Sequence, residues 1–489
     1  MAHQMTPTLT KIFQGQTPED WRSSNRLTIT KISLNTGQLP SDWVTANVTP
    51  LFKKGERSKP SNYRPISLTC ILCKTLEHIV TSNLVKHLTR NNILYDLQHG
   101  FREKRSCETQ LIMLISELAN NIQQGRQTDL ILLDFSKAFD KVSRQKLIYK
   151  LYKYGVQGKN LGWIKGFLSN RSQKVVLDGN NSSNIPVTSG VPQGSVLGPV
   201  LFLTYINDLP EQVKSQVRLF ADDTVVYITI CKRGDSAQLQ EDLHNLETWE
   251  KAWDMEFNPS KCQVIRVSTS RNPIQTKYSL HGQVLEATSS ARYLGVDISC
   301  DLSWRTHIDR VTSTATKSLG FLRRNIRTNH PQLKSLAYKT VVRPQLEYAT
   351  CVWDPYQATH INRIEMVQRR AARWVCHDYS PYSSVTSMLE NLGWRSLELR
   401  RSDARLSMLY KIVHDKVAIP SDQLVRPTRL TRFSHSCTFR QIQTTKNVLK
   451  YSFFPLTIVQ WNRLPDSVVS LPNIEEFKLA VSKIHHLKP

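Results

Sequence analysis

The 489-residue chain has no apolar run near the roughly 18–20 residues that a membrane helix needs. Its opening stretch, Met1 to Gln16, lacks the apolar core of a signal peptide. An intracellular protein is therefore expected, in the nucleus, the cytoplasm or both, with no membrane partner. Cysteine is sparse: nine residues, scattered singly except for Cys70-Ile71-Leu72-Cys73. That pair has no second pair at zinc-finger spacing, so the cysteines read as reduced, mostly core thiols. Internal repeats and low-complexity segments are missing as well. Acids are scarce against bases, 40 Asp+Glu to 65 Lys+Arg, a net charge of +25. Such a surplus favours a polyanion partner, in practice nucleic acid. It is not confined to one tail: residues 301–489 hold 29 Lys+Arg and 14 Asp+Glu, leaving +10 of the +25 to the first 300 residues. No long basic amphipathic helix stands out for an anionic membrane surface.

What is present is a globular composition, 40% hydrophobic and 8% aromatic, over a length that accommodates two to four domains. One stretch organises the chain: Leu219-Phe220-Ala221-Asp222-Asp223-Thr224-Val225-Val226-Tyr227. Two adjacent acids between short β-prone runs predict a tight hairpin with carboxylates at its tip. Taken alone, the pair admits ordinary turn chemistry. It also admits a divalent-cation site, because like charges held together and desolvated need a compensating cation.

Upstream, Asn47 to Phe52 reads as a short strand, followed by a basic turn with Lys53 and Lys54, then Asn62-Tyr63-Arg64-Pro65. Lys53, Lys54 and Arg64 are either a solvated charge cluster or a grip on a triphosphate. Helical spacing runs from Ile71 to Leu88. Gln98-His99-Gly100-Phe101-Arg102 is a basic loop, and Ser106 is placed to cap the next helix. His99 reads as a hydrogen-bonding residue rather than a metal ligand. Leu130-Ile131-Leu132-Leu133 predicts a strand buried on both faces that ends at Asp134. A carboxylate at the mouth of a central strand is a frequent ligand position. Asp140, expected at the start of a helix running towards Leu151, is explained by the helix dipole. Thr188 to Ser195 is a small-residue loop that opens an apolar helix from Val196 to Leu209. A packed helix from Leu239 to Met255, a turn at Asn258–Cys262, and strands at Gln263–Val267 and Tyr293–Ile298 follow. Beyond Asp301 the pattern is helical, with periodic segments to Leu322, from Leu333 to Tyr348 and from Ile361 to Val375. The last of these carries Arg363, Arg369, Arg370 and Arg373, and an amphipathic end runs from Ile474 to Ile484.

Together, Asp134, Asp222 and Asp223 in a basic chain with a glycine-rich loop suit two divalent ions about 3.5–4 Å apart. Magnesium prefers such hard oxygen ligands and borrows phosphate oxygens from its substrate. The ordered blocks Asn62–Leu68, Gln98–Arg102, Asp134–Asp140, Gly190–Ser195, Phe220–Asp223, Asn258–Lys261 and Tyr293–Gly295 resemble the reverse transcriptases of non-LTR retrotransposons, near the Jockey and CR1-like branches. The resemblance is strong over residues 40–300 and continues more weakly through Val342–Tyr348 and Trp461–Pro465.

It implies an α+β right-hand polymerase fold: an N-terminal extension at 1–40, fingers and palm with an antiparallel sheet at 41–300, a helical thumb at 301–375 and a basic helical region at 376–489. It implies an RNA-directed DNA polymerase, with an RNA template, a DNA primer and dNTPs as partners. Two Mg²⁺ ions, or Mn²⁺ as the alternative, would be held by Asp134, Asp222, Asp223 and the Phe135 carbonyl. Lys261 would protonate the leaving pyrophosphate. Lys54 and Arg64 would meet the triphosphate, and Phe139 would exclude a ribose 2′-hydroxyl. Gly190, Gln193 and Gly194 would pack on the nucleotide, and Tyr293-Leu294-Gly295 would be the primer-gripping hairpin. An endonuclease is expected upstream in a full element. Nothing of that size precedes residue 40, so the chain reads as the polymerase part of a longer frame or a truncated copy.

Overall fold

The computed structural model of the chain describes residues 23–232, 234–429 and 435–484. The N-terminal extension is therefore covered only from Ser23, where a helix, Ser23–Thr36, begins. A small sheet follows. Strand β1 (Thr45–Phe52) pairs antiparallel with β2 (Tyr63–Leu68). Helix α1 (Ile71–Arg90) and helix α2 (Cys107–Gln123) lead to the central strand β3 (Gln127–Leu133). Ser106 caps α2 in a reciprocal box with Thr109, as its position before the apolar run suggests.

After β3 the helix anticipated from Asp140 is two pieces, Ala138–Lys141 and Arg144–Lys153, split at Val142-Ser143. Strand β4 (Ser172–Leu177) returns to the small sheet and lies parallel to β1. The apolar helix after the glycine loop is α3 (Gly198–Ile206), which gives way to a 3₁₀ turn at Leu209–Gln212. Strands β5 (Gln216–Phe220) and β6 (Asp223–Ile230) form the hairpin, helix α4 (Asp235–Trp253) packs against it, and β7 (Gln263–Val267) returns to the sheet. With β8 (Glu286–Thr288) the central sheet runs β8-β7-β3-β6-β5.

The run expected as one strand from Tyr293 to Ile298 is instead a tight hairpin, β9 (Ser290–Tyr293) and β10 (Val296–Ser299). Leu294 (φ +44°) and Gly295 (φ +84°) supply the turn. Paired left-handed residues match the twist of flanking strands, a feature that hydropathy does not reveal. The helical region begins with α5 (Arg305–Asn325). The helix anticipated from Leu333 to Tyr348 is interrupted: Pro331–Ala337, a π turn at Tyr338–Val342, then Arg343–Glu347. Pro344 has no N–H and crowds the preceding turn, so a regular i to i−4 ladder cannot pass through it. Helices α6 (Ala358–Cys376) and α7 (Leu397–Val413) follow, and the last described helix is Ile474–Lys483.

β3 divides two cores. Leu130 faces Val225, Tyr227 and Ile265; Ile131 and Leu133 face the other way, with Val226 and Val264. The two-residue period of a strand makes this split automatic. The first core includes α2, α5, α6, α7 and the C-terminal Phe477 and Val481. The second includes α1, α3, α4 and Trp163 and Phe167 of the helix Gly158–Leu168. Among the described residues no helix is long and apolar enough to cross a membrane, and all nine cysteines are free thiols.

Candidate active site

β3 and β6 are antiparallel neighbours, with Leu133 opposite Thr224. Asp134 thus emerges from the end of β3 beside Asp223, the first residue of β6. Across the hairpin Phe220 pairs with Asp223, so Ala221 and Asp222 are the two turn residues. Ala221 adopts φ +54°, a left-handed backbone that a residue with a Cβ takes only under constraint.

The constraint comes from the Gln98–Gly100 loop. Gln98 Oε1 accepts from Ala221 N at 2.9 Å and from Gly100 N at 2.8 Å. His99 N donates to Leu219 O at 2.8 Å. A Cβ on Gly100 would meet the Ala221 backbone nitrogen inside van der Waals contact, so only glycine fits. His99 is buried, with Nδ1 2.8 Å from Thr109 Oγ1, and burial lowers its pKa to about 3. It is a neutral structural residue.

The three acids feel one another. Burial, then the charges of Asp222 and Asp134, push the Asp223 carboxyl up to about 6. Asp222 is also raised, chiefly by burial and then by Asp134, while Arg64 on β2 opposes the shift. Asp223 still opens to solvent. Lys261 Nζ lies 3.0 Å from Asp134 Oδ2, brought there by the Asn258–Lys261 turn, whose Asn258 N donates to Asp134 O at 2.7 Å. Both partners are substantially exposed, so the pair is weak and readily exchanged. Phe135 is buried and stacks on Phe257 at 4.2 Å.

Among the described residues no three His, Cys, Asp or Glu side chains stand gathered as a finished metal cage. The donor set nevertheless suits Mg²⁺: hard carboxylate oxygens with raised protonation tendencies, whose repulsion a divalent ion removes. Magnesium sites commonly use one or two carboxylates and take their remaining ligands from water and substrate phosphates.

The glycine loop lies against the Asp140 segment. A Cβ on Gly190 (φ +79°) would fall 2.7 Å from Asp140 O. Gln193 Nε2 donates to Asp140 Oδ1 at 2.8 Å, and Ser67 N on β2 donates to Gln193 O at 2.9 Å. Gly194 is exposed, and a Cβ there would fall 2.6 Å from Ser67 O. Asp140, which the dipole alone accounts for in the sequence, thus fastens the loop. Phe139 is half-buried and stacks on Phe202 at 4.4 Å. Lys54 is exposed in the turn after β1 and has no side-chain partner among the described residues. Tyr293 is buried, with its hydroxyl 3.3 Å from Gln110 Nε2. Its pKa is raised mainly by burial, with Asp223 adding to the shift, which sets the β9–β10 turn near the acids. That turn is held from behind: Tyr348 Oη donates to Leu294 O at 2.9 Å, and Arg310 Nη2 donates to Gly295 O at 2.7 Å.

Two supporting residues escape a reading of the sequence. Gln98 holds the hairpin tip from 123 positions away. Glu77, fully buried on α1, accepts from Val196 N at 2.7 Å and Leu197 N at 3.0 Å, anchoring the start of the α3 segment. The signal for Glu77 was an acid beside Leu76 and Ile79 in an apolar helical stripe.

Residues 52–298 match the family described as Reverse transcriptase (RNA-dependent DNA polymerase). Over 372 residues the chain is 29% identical to the probable RNA-directed DNA polymerase from transposon BS of Drosophila melanogaster, covering 72% of this chain and 40% of that protein. It is 29% identical over 346 residues to the RNA-directed DNA polymerase from mobile element jockey of Drosophila funebris, covering 67% and 37%. The chain therefore spans about two fifths of the length of these curated relatives. A structure of apo telomerase from Candida tropicalis aligns with 83% of this chain and 73% of that one, at 10% identity and a TM-score of 0.43. On the family match, which takes in both the end of β3 and the acid hairpin, the chain belongs to the reverse transcriptases.

Proposed function

We propose that this chain extends a DNA primer on an RNA template, as the polymerase part of a non-LTR retrotransposon. The observation that supports it best is the register of β3 against β6, which puts the end of one buried strand beside a braced acid hairpin. In this reading the central sheet is the palm, the small sheet the fingers and the helices from Arg305 the thumb. Asp134, Asp222 and Asp223, with the Phe135 carbonyl, would hold two Mg²⁺ or Mn²⁺ ions. When bound, such ions supply Lewis-acid charge to an attacking hydroxyl and a departing pyrophosphate.

The remaining work falls to the chain's own side chains. Arg64, already close enough to influence Asp222, neutralises the triphosphate, with Lys54 reaching in from the adjacent turn. Gln193, oriented by Asp140, and the backbone of Gly190 and Gly194 form a surface for the flat incoming nucleotide. Phe139 narrows the space at the sugar. Lys261, whose ammonium lies 3.0 Å from Asp134 Oδ2, would be the proton donor to pyrophosphate. The Leu294-Gly295 turn supports the primer end.

The test is incorporation of dNTPs on a primed RNA template with Mg²⁺. Wild type should extend the primer and Asp222→Ala should not. Equal extension by both would refute the site; no extension by wild type under any divalent ion would refute the enzyme. The +25 charge alone would also suit one alternative, a relic that binds nucleic acid without polymerising. It forecasts salt-sensitive RNA binding with no incorporation.

A further inference from the structure

The ladder of the β9–β10 hairpin ends at the Tyr293–Val296 pair, so the carbonyls of the turn residues Leu294 and Gly295 find no partner within it. Side chains of the helical region take both. Tyr348 Oη donates to Leu294 O at 2.9 Å, and Arg310 Nη2 on α5 donates to Gly295 O at 2.7 Å. The Tyr348 ring also lies on the turn: a Cβ on Gly295 would fall 2.9 Å from its Cε1.

Neither donor is loose. Arg310 Nε donates to Asp297 Oδ2 on β10 at 2.6 Å. Tyr348 ends the stretch Val342–Tyr348, which is tied down on three sides. Gln345 Nε2 donates to Ser318 Oγ on α5 at 2.9 Å, and Arg400 Nη2 on α7 donates to Glu347 Oε2 at 3.1 Å. The buried Trp353 donates Nε1–H to Tyr348 O at 2.8 Å. On the other side of the hairpin, Gln110 Nε2 on α2 lies 3.3 Å from Tyr293 Oη and 3.4 Å from Leu219 O. Leu219 pairs with Thr224, the residue after Asp223. A series of contacts thus runs from α7 through Tyr348 to the Leu294-Gly295 turn, and on through Gln110 to the acid hairpin. Its short, well-formed bonds are those on the turn.

We propose that Tyr348 is a positioning residue: it fixes the Leu294-Gly295 turn, and through the turn the 3′ end of the primer, at a set distance from Asp134, Asp222 and Asp223. This rests on the polymerase reading, in which that turn supports the primer end. Strands β9 and β10 are four residues each, too short to hold a tip rigid unaided. The tip therefore stands where its carbonyls are held. Attack by a hydroxyl is steep in distance, and a misplacement of about 1 Å costs up to roughly 10²-fold in rate. Tyr348 is 44% exposed, so water can satisfy Leu294 O when the phenol is removed. Water satisfies a carbonyl without fixing it in place. The hydroxyl thus contributes little to stability and much to position.

The test is steady-state incorporation of a single dNTP on a primed RNA template by Tyr348→Phe, which keeps the ring on Gly295 and removes the donor. kcat should fall about tenfold, within that distance penalty. KM for dNTP should stay within about twofold, because no group assigned to the triphosphate is touched, and the melting temperature should hold. The preference for a matched over a mismatched primer end should shrink several-fold, since a loosened turn no longer enforces one placement. Tyr410→Phe is the control: it removes the same kind of bond, from α7 to Leu471 O at 2.6 Å, and should change neither kcat nor the end preference. Wild-type kcat and end preference in Tyr348→Phe overturn the proposal, and so does an equal loss in both variants, which would make the hydroxyl a general stabiliser. A wild type that never incorporates defeats the polymerase reading and this inference with it; an active wild type matched by Tyr348→Phe defeats this inference alone.

Discussion

The two sheets of this protein are built in opposite ways. In the central sheet β3 is buried on both faces, β6 nearly so, and each side chain contributes to one of two cores. In the small sheet Leu51, Leu68, Val175 and Leu177 are all exposed, and the edge carries Lys54 and Arg64 into solvent. A strand with two buried faces has one register, because a one-residue slip would exchange its cores. A half-covered sheet keeps its register as well, since a one-residue slip would carry the buried Ala46 and Val48 of β1 into solvent. The acids therefore stand where both faces are packed, and the cationic groups on a sheet whose outer face leaves side chains free to move.

The largest expected effects test the rigid half. Asp222→Ala, or Asp134→Asn, should cut nucleotide incorporation by at least about 10²–10³-fold, as loss of a charge-stabilising group does, with near-native melting temperature. Retained activity would separate the hairpin from the chemistry. In the same sheet, Ile131→Ala should destabilise by roughly 2–5 kcal/mol in denaturant titration. Leu68→Ala in β2, where the side chain is 53% exposed, should stay within about 0.5 kcal/mol. Equal costs would erase the contrast between the sheets.

Gly100→Ala probes the brace. Its Cβ would collide with backbone, which cannot move aside as a side-chain tip does. A loss of about 1–3 kcal/mol is expected, together with a fall in incorporation larger than stability alone explains. Arg64→Ala should instead raise KM for dNTP by about tenfold or more while leaving the melting temperature unchanged, because the side chain is exposed and its proposed partner is the triphosphate.

The smallest effect concerns pH. Asp223 is raised to about 6 in the folded chain, above its ordinary carboxylate value. The folded state then holds more protons than the unfolded one between about pH 4 and 6, so this group lowers stability as pH rises through that window. Metal-free Asp223→Asn should be slightly more stable than wild type above pH 6 and no different at pH 4. Added Mg²⁺ should narrow the gap at pH 7 by favouring the ionised wild type. A gap of the opposite sign would mean that Asp223 is not under repulsion.

How much was legible follows from what each feature depends on. The end of β3 at Asp134 was readable because four aliphatic residues in a row must be buried and the first acid after them must not. The hairpin was readable because apolar alternation brackets a two-residue turn. Hydropathy makes Tyr293 to Ile298 a single strand because a φ > 0 turn can be built from Leu-Gly without any break in the apolar pattern, whereas the family resemblance implies the hairpin that is found there. The helix from Leu333 to Tyr348 kept its periodicity through a π turn that side-chain spacing barely registers. Asp140 looked like a dipole residue because its partner, Gln193, is 53 positions away.

By itself the sequence determined the elements whose cause is local: buried strands, the acid pair, the Ser106 cap and the basic surplus. Tertiary structure alone decided which groups share a space. Leu133 faces Thr224, Gln98 holds Ala221 in a strained turn, and Glu77 anchors the Val196 amide, 119 residues away, just before a helix. The physical reason is range. Propensity and hydropathy act over a few residues, whereas charge repulsion, steric exclusion and hydrogen-bond satisfaction act over a few ångströms, and only folding turns the first distance into the second.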